Sequence, residues 1–498
     1  MCTVCDRGAD GFRSRAVFAP ATDLGRAGAA SPSARDGLFT AQRPHDLPVG
    51  GAGRRTLIRG GAVLTMDPGV GDFASADILI DGSKIVEIRP GIDAPDAAVI
   101  DADGMIVMPG FIDTHHHQFE TALRSYLADG LLYSDGRPHG SPNYIEDILG
   151  KLSTVYRPED VYINEVMASL SQLDAGVTTV LDVSQIHHSP EHSDAAIQGL
   201  RDAQRRTAFG YFEGRGPSVR YPRDAKRIKE TYFSSEDQLL TMVMGGEFYL
   251  PTFEESWRIG RDLDIPIALH VVASRKERSD VFDQIVRTTR FGPDNIFIHM
   301  TGVSDLGWQA ARDAGAHVSL SVPIEMTMRH GMPPVLKMMQ FGMSPSLSTD
   351  VECTMTADFF TQMRAMLTLQ RALVNEDTLA GNANPPPLLT SRDVIRFATI
   401  EGARALRLDG KVGSLAPGKE ADIILLETRT LNVAPLNNVP GAVVTLMERS
   451  NVSTVLVAGG IRKWKGQLVG ADIPKLVSEI SASRDYLFEK AGVDRKLF

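Results

Sequence analysis

An α/β fold is the class that this 498-residue sequence predicts, and two patterns carry the prediction. The centre of the chain alternates short apolar runs with longer helical stretches, which is typical of a parallel sheet whose strands are joined by helices. Segments rich in β-forming residues lie towards both ends and frame this centre. The length suits one large barrel with an accessory domain.

The chain begins with about 50 residues rich in Ala, Gly, Arg, Ser and Asp, which predict a mobile extension. Cys2 and Cys5 form a lone CxxC there, which is weak evidence for a metal site because structural zinc sites normally need two such pairs. Three cysteines are too few for a disulfide framework and fit a reducing compartment. No apolar signal segment follows the early arginines, so we expect a cytoplasmic protein.

Strand-like segments near both ends predict a small β-sandwich assembled from distant parts of the chain. Residues 78–88 predict a hairpin with Asp81-Gly82 as its turn, and residues 421–426 and 455–461 are matching strands. The predicted domains are a mobile extension, a two-part β-sandwich, a barrel and a helical tail: 1–50, 51–108 with 405–470, 109–404, and 471–498.

Eight strands can be counted in the central part, and helical segments separate them; the helix predicted over 157–175 ends at Gly176. The predicted strands are 111–117, 178–182, 208–213, 240–244, 267–270, 296–299, 317–322 and 345–350. Eight strand–helix units predict a (β/α)8 TIM barrel, in which the active site forms at the carboxyl ends of the strands.

The first barrel strand ends in Asp113-Thr114-His115-His116-His117. Since side chains alternate along a strand, His115 and His117 are expected to project side by side, whereas His116 faces the helix layer. Two neutral imidazoles in this arrangement form half of a zinc or iron site.

The other half is expected at the ends of later strands, where His270, His299 and Asp350 stand. An isolated histidine on a strand is usually structural, but a convergent cluster in a barrel mouth indicates a catalytic metal site. We predict His115, His117, His270 and Asp350 as metal ligands, with Asp350 also carrying protons. His299 is predicted to be catalytic, holding the attacked oxygen or the water.

These residues resemble the motifs of the amidohydrolase superfamily. Residues 109–117 match its HxH motif, His270, His299 and residues 348–350 match the later histidines and aspartate, and residues 413–422 match a motif at the return to the β-sandwich. The resemblance covers residues 55 to 470 and implies metal-dependent hydrolysis of C–N bonds. Within the superfamily the chain looks most like the group of atrazine chlorohydrolase, cytosine deaminase and the phenylurea hydrolases.

Two departures from the family pattern refine this expectation. Binuclear members usually carry a carboxylated lysine at the end of strand four, but residues 242–247 contain none, which favours one divalent metal ion. Zinc is the predicted ion with iron or cobalt as alternatives, and Glu213 or Glu247 remains an alternative bridge to a second ion. Ring deaminases usually have HxxE after strand five, whereas this chain has Ala273, with Glu277 as a distant substitute. The absence of this glutamate favours linear amides, ureas and carbamates as substrates, with Asp350 protonating the leaving nitrogen.

Four polar residues close to strand ends are predicted to bind substrate, with a structural role as the alternative for each: Gln118, Glu325, His330 and Glu352.

The sequence therefore predicts a metal-dependent hydrolase of a non-peptide C–N bond in a small molecule. Deamination or dehalogenation of a heteroaromatic ring is the alternative reaction, and a non-catalytic scaffold of the same fold is the alternative class. A net charge of −10 without a basic block argues against nucleic acid or membrane partners, and no apolar run is long enough to span a bilayer. The oligomeric state, including a homo-oligomer, stays open.

Overall fold

A computed structural model describes residues 37–40, 43–48, 55–137, 142–495 and 497. The CxxC of Cys2 and Cys5 lies outside these residues. No helix in the described part is long and apolar enough to cross a membrane.

Eight parallel strands form a nearly closed barrel, which confirms the predicted fold class. In chain order the barrel strands are β6 Phe111–His116, β7 Val177–Ser184, β8 Arg206–Tyr211, β9 Leu240–Gly245, β10 Ile267–Val272, β11 Asn295–Thr301, β12 His317–Leu320 and β13 Ser346–Leu347. Each pairs with its sequence neighbour. A parallel bridge between His116 and Asp350, and hydrogen bonds from Thr114 to the chain at Ser346 and Leu347, join the last strand to the first.

Helices connect and cover the barrel strands. They are Pro158–Asp174, Pro190–Asp202, Ala225–Tyr232, Phe253–Asp262, Lys276–Thr288, Asp305–Asp313, Val322–Thr327, Val335–Gln340, Phe359–Leu379, Ser391–Phe397 and Ile400–Ala405. The first begins with proline at N1 and ends before Gly176, whose φ of +86° is the left-handed conformation that glycine adopts readily. The predicted helix over 157–175 is therefore confirmed.

A mixed nine-stranded sheet is formed from both ends of the described chain. Its strands are β1 Arg55–Val63, β2 Phe73–Asp81, β3 Lys84–Arg89, β4 Ala98–Asp101, β5 Met105–Pro109, β14 Ile423–Glu427, β15 Val452–Val457, β16 Gly460–Trp464 and β17 Gln467–Leu468. In β5, Ile106 and Met108 pack into the core shared with the barrel, whereas Val107 packs into the sheet's own core. This alternation attaches the sheet to the barrel.

The β2–β3 hairpin differs from its prediction by one residue. Asp81 pairs with Lys84, so the two loop residues are Gly82 and Ser83 rather than Asp81 and Gly82. Gly82 has a φ of +59°, as a tight hairpin loop requires.

The chain passes from the sheet to the barrel at Gly110, between β5 and β6. A Cβ atom on Gly110 would lie 2.2 Å from the side chain of Thr178, so this close crossing requires glycine. The crossing places the HxH histidines at the barrel mouth, six residues after the sheet strand ends at Pro109.

The C-terminal segment after the sheet forms the helix Ile473–Ala491, which is capped by Asp472. Residues 37–40 and 43–48, which were assigned to the mobile extension, contact this part of the protein: Leu38 is fully buried and Phe39 bridges Ala471. The remaining helices are Val439–Thr445, the 3-10 turns Gln118–Leu123, Leu152–Val155 and Arg449–Asn451, and the π-helical turn Tyr144–Leu149. The domain boundaries stay a prediction.

Candidate metal centre

Four predicted ligands meet at the carboxyl ends of the barrel strands. The Nε2 atom of His115 lies 3.0 Å from that of His117 and 3.1 Å from that of His270. Oδ1 of Asp350 lies 3.5 Å from Nε2 of His115 and 3.7 Å from Nε2 of His117. The donor atoms of His115, His117 and Asp350 lie close enough together to bind one ion, as do those of His115, His270 and His299.

Hydrogen bonds fix the tautomers of two of these histidines. Nδ1–H of His117 donates to the carbonyl of Val183 at 2.9 Å, and Nδ1 of His270 is bonded to the carboxylate of Glu247. When Nδ1 carries the proton, Nε2 presents a bare lone pair. Two bare Nε2 atoms that face a third imidazole repel one another unless a cation lies between them. The donor set therefore fits a divalent metal ion, and three imidazoles with one carboxylate are ligands that zinc accepts.

Glu247 lies behind His270 and away from the other donor atoms. It is fully buried, and its two carboxylate oxygens each lie 3.2 Å from the backbone nitrogen of His270. This contact makes Glu247 a carboxylate that orients the imidazole of His270, a predicted metal ligand. It argues against the alternative that Glu247 bridges a second ion. Glu213 hydrogen-bonds Gln185 at 2.9 Å.

Burial makes the site electrically neutral when no cation is present. It lowers the pKa of His270 to about 3 and raises the pKa of Glu247 to about 8, because both charged forms lose their hydration. The pKa of Asp350 is raised for the same reason, with the nearby carboxyl groups of Glu120 and Glu325 adding to the effect. A bound cation opposes each of these shifts.

His299 and Asp350 adopt positive φ angles, +74° and +62°. Non-glycine residues in this region store backbone strain, which is concentrated at functional sites. Nε2 of His299 lies 3.5 Å from Oδ2 of Asp350, and its Nδ1 is bonded to Glu325 at 3.1 Å. His299 is thus fixed beside Asp350, with a donor atom close to those of His115 and His270, and its role towards water or substrate stays a prediction.

A small cavity lies directly above these residues. It is lined by His117, Leu132, Tyr144, Gln185, His270, His299, Met328, His330, Asp350 and Val351. Across its top, the backbone nitrogen of Leu132 donates to the carbonyl of Met328 at 2.9 Å. The polar side chains that line the cavity are almost fully buried.

Of the four predicted substrate-binding residues, only His330 lines this cavity. Gln118 lies instead in the helix layer, where its side chain bonds to Arg205 and, at 2.7 Å, to Glu165. The 3-10 turn that follows β6 thus directs Gln118 away from the mouth, and its role in substrate binding stays a prediction.

Glu325 and Glu352 also lie outside the lining of this cavity, and substrate binding by them stays a prediction. The carboxylate of Glu325 is hydrogen-bonded to Nδ1 of His299 and accepts a hydrogen bond from the backbone nitrogen of Ser321 at 2.9 Å. Glu352 accepts two hydrogen bonds from Arg124, at 2.8 and 2.9 Å, and does not line the cavity. His116, as expected, faces away from the metal group and contacts Thr349 at 3.0 Å.

Two polar cavity residues were not predicted from the sequence, Tyr144 and Gln185. Gln185 directly follows β7, so the strand-end rule that identified His270 and Asp350 could have found it. Tyr144 lies in the long loop after β6, where no periodicity marks it. Its hydroxyl donates to the buried carboxylate of Glu120.

A larger groove lies between the barrel and the mixed sheet, away from the histidines. Its main charged side chains are already paired: Arg124 with Glu352 and, at 2.6 Å, Arg449 with Asp174. The groups of donor atoms close enough to bind a metal ion, among the described residues, lie at the smaller cavity instead.

Comparison with solved structures supports the barrel and its attached sheet. A zinc-bound adenosine deaminase from Xanthomonas campestris superposes with a TM-score of 0.75 at 20% identity, over 87% of this chain and 98% of the other. Zinc-complexed atrazine chlorohydrolase from Arthrobacter aurescens TC1 gives 0.74 at 21% identity, over 86% and 100%. At these identities the likeness concerns the fold.

Curated relatives match over most of this chain and over nearly all of their own length. The 5'-deoxyadenosine deaminase of Methanosarcina acetivorans is 26% identical over 456 residues, which are 88% of this chain and 99% of the relative. The 5-methylthioadenosine/S-adenosylhomocysteine deaminase of Pelotomaculum thermopropionicum is 26% identical over 452 residues, 85% and 96% of the two chains. Residues 106–462 match the model of the amidohydrolase family. With most of its length matched and a metal-binding group at its strand ends, the chain belongs to the amidohydrolase family.

Proposed function

We propose that this protein uses one divalent metal ion to hydrolyse a non-peptide C–N bond in a small molecule of the amide, urea or carbamate type. The family makes it a hydrolytic enzyme acting on C–N bonds. The observation that carries the proposal is the convergence of bare Nε2 atoms of His117 and His270 on His115 and Asp350. Zinc suits these ligands, with iron or cobalt as alternatives.

An ion held by these four residues would lower the pKa of a water molecule towards ~7 and would polarise the group under attack. Asp350 faces both the ligand histidines and His299, so it accepts the proton of the water and passes it to the leaving nitrogen. His299 keeps Nδ1 on Glu325, and its Nε2 accepts a hydrogen bond from the attacking water. Burial of the cavity excludes other water from the reaction.

Deamination of an amino-substituted purine is the second candidate, and the named activities of the curated relatives favour it. Ala273 supports the first candidate, because a methyl group cannot carry a proton to a ring nitrogen. We further propose that the protein is cytoplasmic and that it acts on a small molecule without nucleic acid or membrane partners. The choice between monomer and homo-oligomer stays open.

The test is a substrate panel with zinc-loaded protein. Amides, ureas, carbamates, aminopurine nucleosides and amino-triazines are compared by amine or ammonia release. We expect turnover among the linear compounds, and we expect His117→Ala to abolish it. His317→Gln is the control and should retain turnover, because His317 begins β12 and so lies at the end of the barrel away from the metal centre. Ammonia release from aminopurines alone would reverse the order of the candidates. A protein that binds no metal and is unaffected by His117→Ala would be the scaffold instead.

A further inference from the structure

His330 stands in the cavity wall on a firmly held backbone. Its nitrogen donates to the carbonyl of Glu325 at 3.1 Å, and its carbonyl accepts from Thr301 Oγ1 at 2.8 Å. Gly331, with φ of +132°, brings the chain so close that a Cβ atom there would lie 3.1 Å from Cβ of Ser274. Ser274 directly follows Ala273, so the His330 loop packs beside the segment where the usual carboxylate is missing.

The imidazole of His330 has unused hydrogen-bonding capacity. It is 3% exposed, and neither ring nitrogen has a partner among the described residues. Buried polar atoms are nearly always satisfied, so each exception needs an explanation. Water and substrate are the molecules that can reach this ring, because it lines the site cavity.

The ring also lies beside the residues that carry the chemistry. Its centroid is 4.6 Å from that of His299, and a nitrogen of His330 lies within 4.8 Å of donor atoms of His299 and Asp350. A group bonded to the carbon under attack can therefore reach Asp350 and His330 together.

We infer that His330 is the residue that binds the departing nitrogen, accepting an N–H hydrogen bond from it as Asp350 protonates that nitrogen and the C–N bond breaks. The inference rests on the proposed function and adds to it a contact with the leaving group. The proton gained by the nitrogen still comes from water through Asp350, so His330 neither gains nor loses one. Because this hydrogen bond strengthens as the nitrogen gains positive charge, it matters most for basic leaving groups, which must be protonated before they depart.

The test compares His330→Gln, which keeps a hydrogen-bond acceptor, with His330→Leu, which keeps the volume without one. Substrates are para-substituted phenylureas that release anilines of increasing basicity. For the urea that releases the most basic aniline, we expect His330→Leu to lower kcat/KM about 100-fold, in the range seen when one transition-state hydrogen bond is removed. For the urea that releases nitroaniline, we expect kcat/KM to fall by under ~10-fold. His330→Gln restores most of the loss. An equal loss for every aniline, or full activity of His330→Leu, overturns the inference.

Two further measurements do not depend on turnover. Zinc content is expected to be the same in wild type and both variants, and loss of zinc in His330→Leu would make His330 a ligand and overturn the inference. Aniline serves as a probe of the leaving-group position: its Kd for the zinc-loaded protein should rise at least about fivefold in His330→Leu and little in His330→Gln, as expected for one lost hydrogen bond. Unchanged or undetectable aniline binding counts against His330. If the wild type binds aniline through His330 but hydrolyses no C–N substrate, the proposed function fails separately.

Discussion

Glu247→Gln is expected to weaken zinc binding 10- to 100-fold without unfolding the protein. Glu247 contacts both Nδ1 and the backbone nitrogen of His270, and it is fully buried. Loss of a carboxylate that orients a metal-binding histidine typically costs about 10- to 100-fold in affinity, which is about 1.4–2.7 kcal/mol. An independent figure agrees, since a hydrogen bond to a charged group contributes about 1.5–3 kcal/mol. Glutamine fills the same volume, so the loss reflects charge and not a cavity.

The affinity is measured by titrating zinc into metal-free protein against a fluorescent chelator. Glu277→Gln is the control, because Glu277 is exposed on the helix Lys276–Thr288. Glu325→Gln is the informative contrast: Glu325 holds His299, which we assign to the water, so zinc affinity should stay within about threefold while kcat falls. Wild-type zinc affinity in Glu247→Gln would refute the reasoning. A larger loss of affinity in Glu325→Gln than in Glu247→Gln would make His299 a ligand.

Three other outcomes are expected. Chelation should lower Tm reversibly, because an ion present at 1,000 times its Kd adds about 4 kcal/mol to the free energy of unfolding; calorimetry before and after zinc is restored measures it. Asp422→Ala should cost about 3–5 kcal/mol in urea unfolding, because it leaves the buried Arg206 without its two hydrogen bonds at 2.9 and 3.0 Å. Burial raises the pKa of Glu120 to about 8, so its contribution to stability is complete below the unfolded pKa near ~4.3 and is lost as pH rises through 8. The Tm of Glu120→Gln, measured relative to that of wild type, should therefore be higher at pH 9 than at pH 6. An equal difference in Tm at the two pH values contradicts this assignment.

The barrel and its metal group were predictable because both follow from local rules. Strand periodicity located all eight barrel strands, and parallel strands bring their carboxyl ends to one mouth. His115, His117, His270 and Asp350 could thus be grouped across 235 positions of sequence without knowledge of any contact.

Residues beyond the strand ends were not predictable in this way. Gln118 follows the HxH motif directly, yet its partner Arg205 lies 87 residues away, immediately before β8, and no periodicity connects the two. Glu352 follows Asp350 by two positions, but the chain turns after the strand and Arg124 binds it. Once the chain leaves a strand, the direction of a side chain depends on non-local contacts.

The four histidines that line the cavity differ in what lies behind them. Nδ1 of His117 is held by a backbone carbonyl, and those of His270 and His299 by Glu247 and Glu325. Each of these rings therefore has one orientation and presents one defined nitrogen, as binding a metal ion or a water molecule requires. His330 alone has no such partner among the described residues, so its ring can present either nitrogen as the occupant demands. Fixed tautomers suit His117, His270 and His299, because the metal ion and the water that they would contact are the same in every turnover. A ring that can present either nitrogen suits His330, because the leaving nitrogen changes its protonation during the reaction.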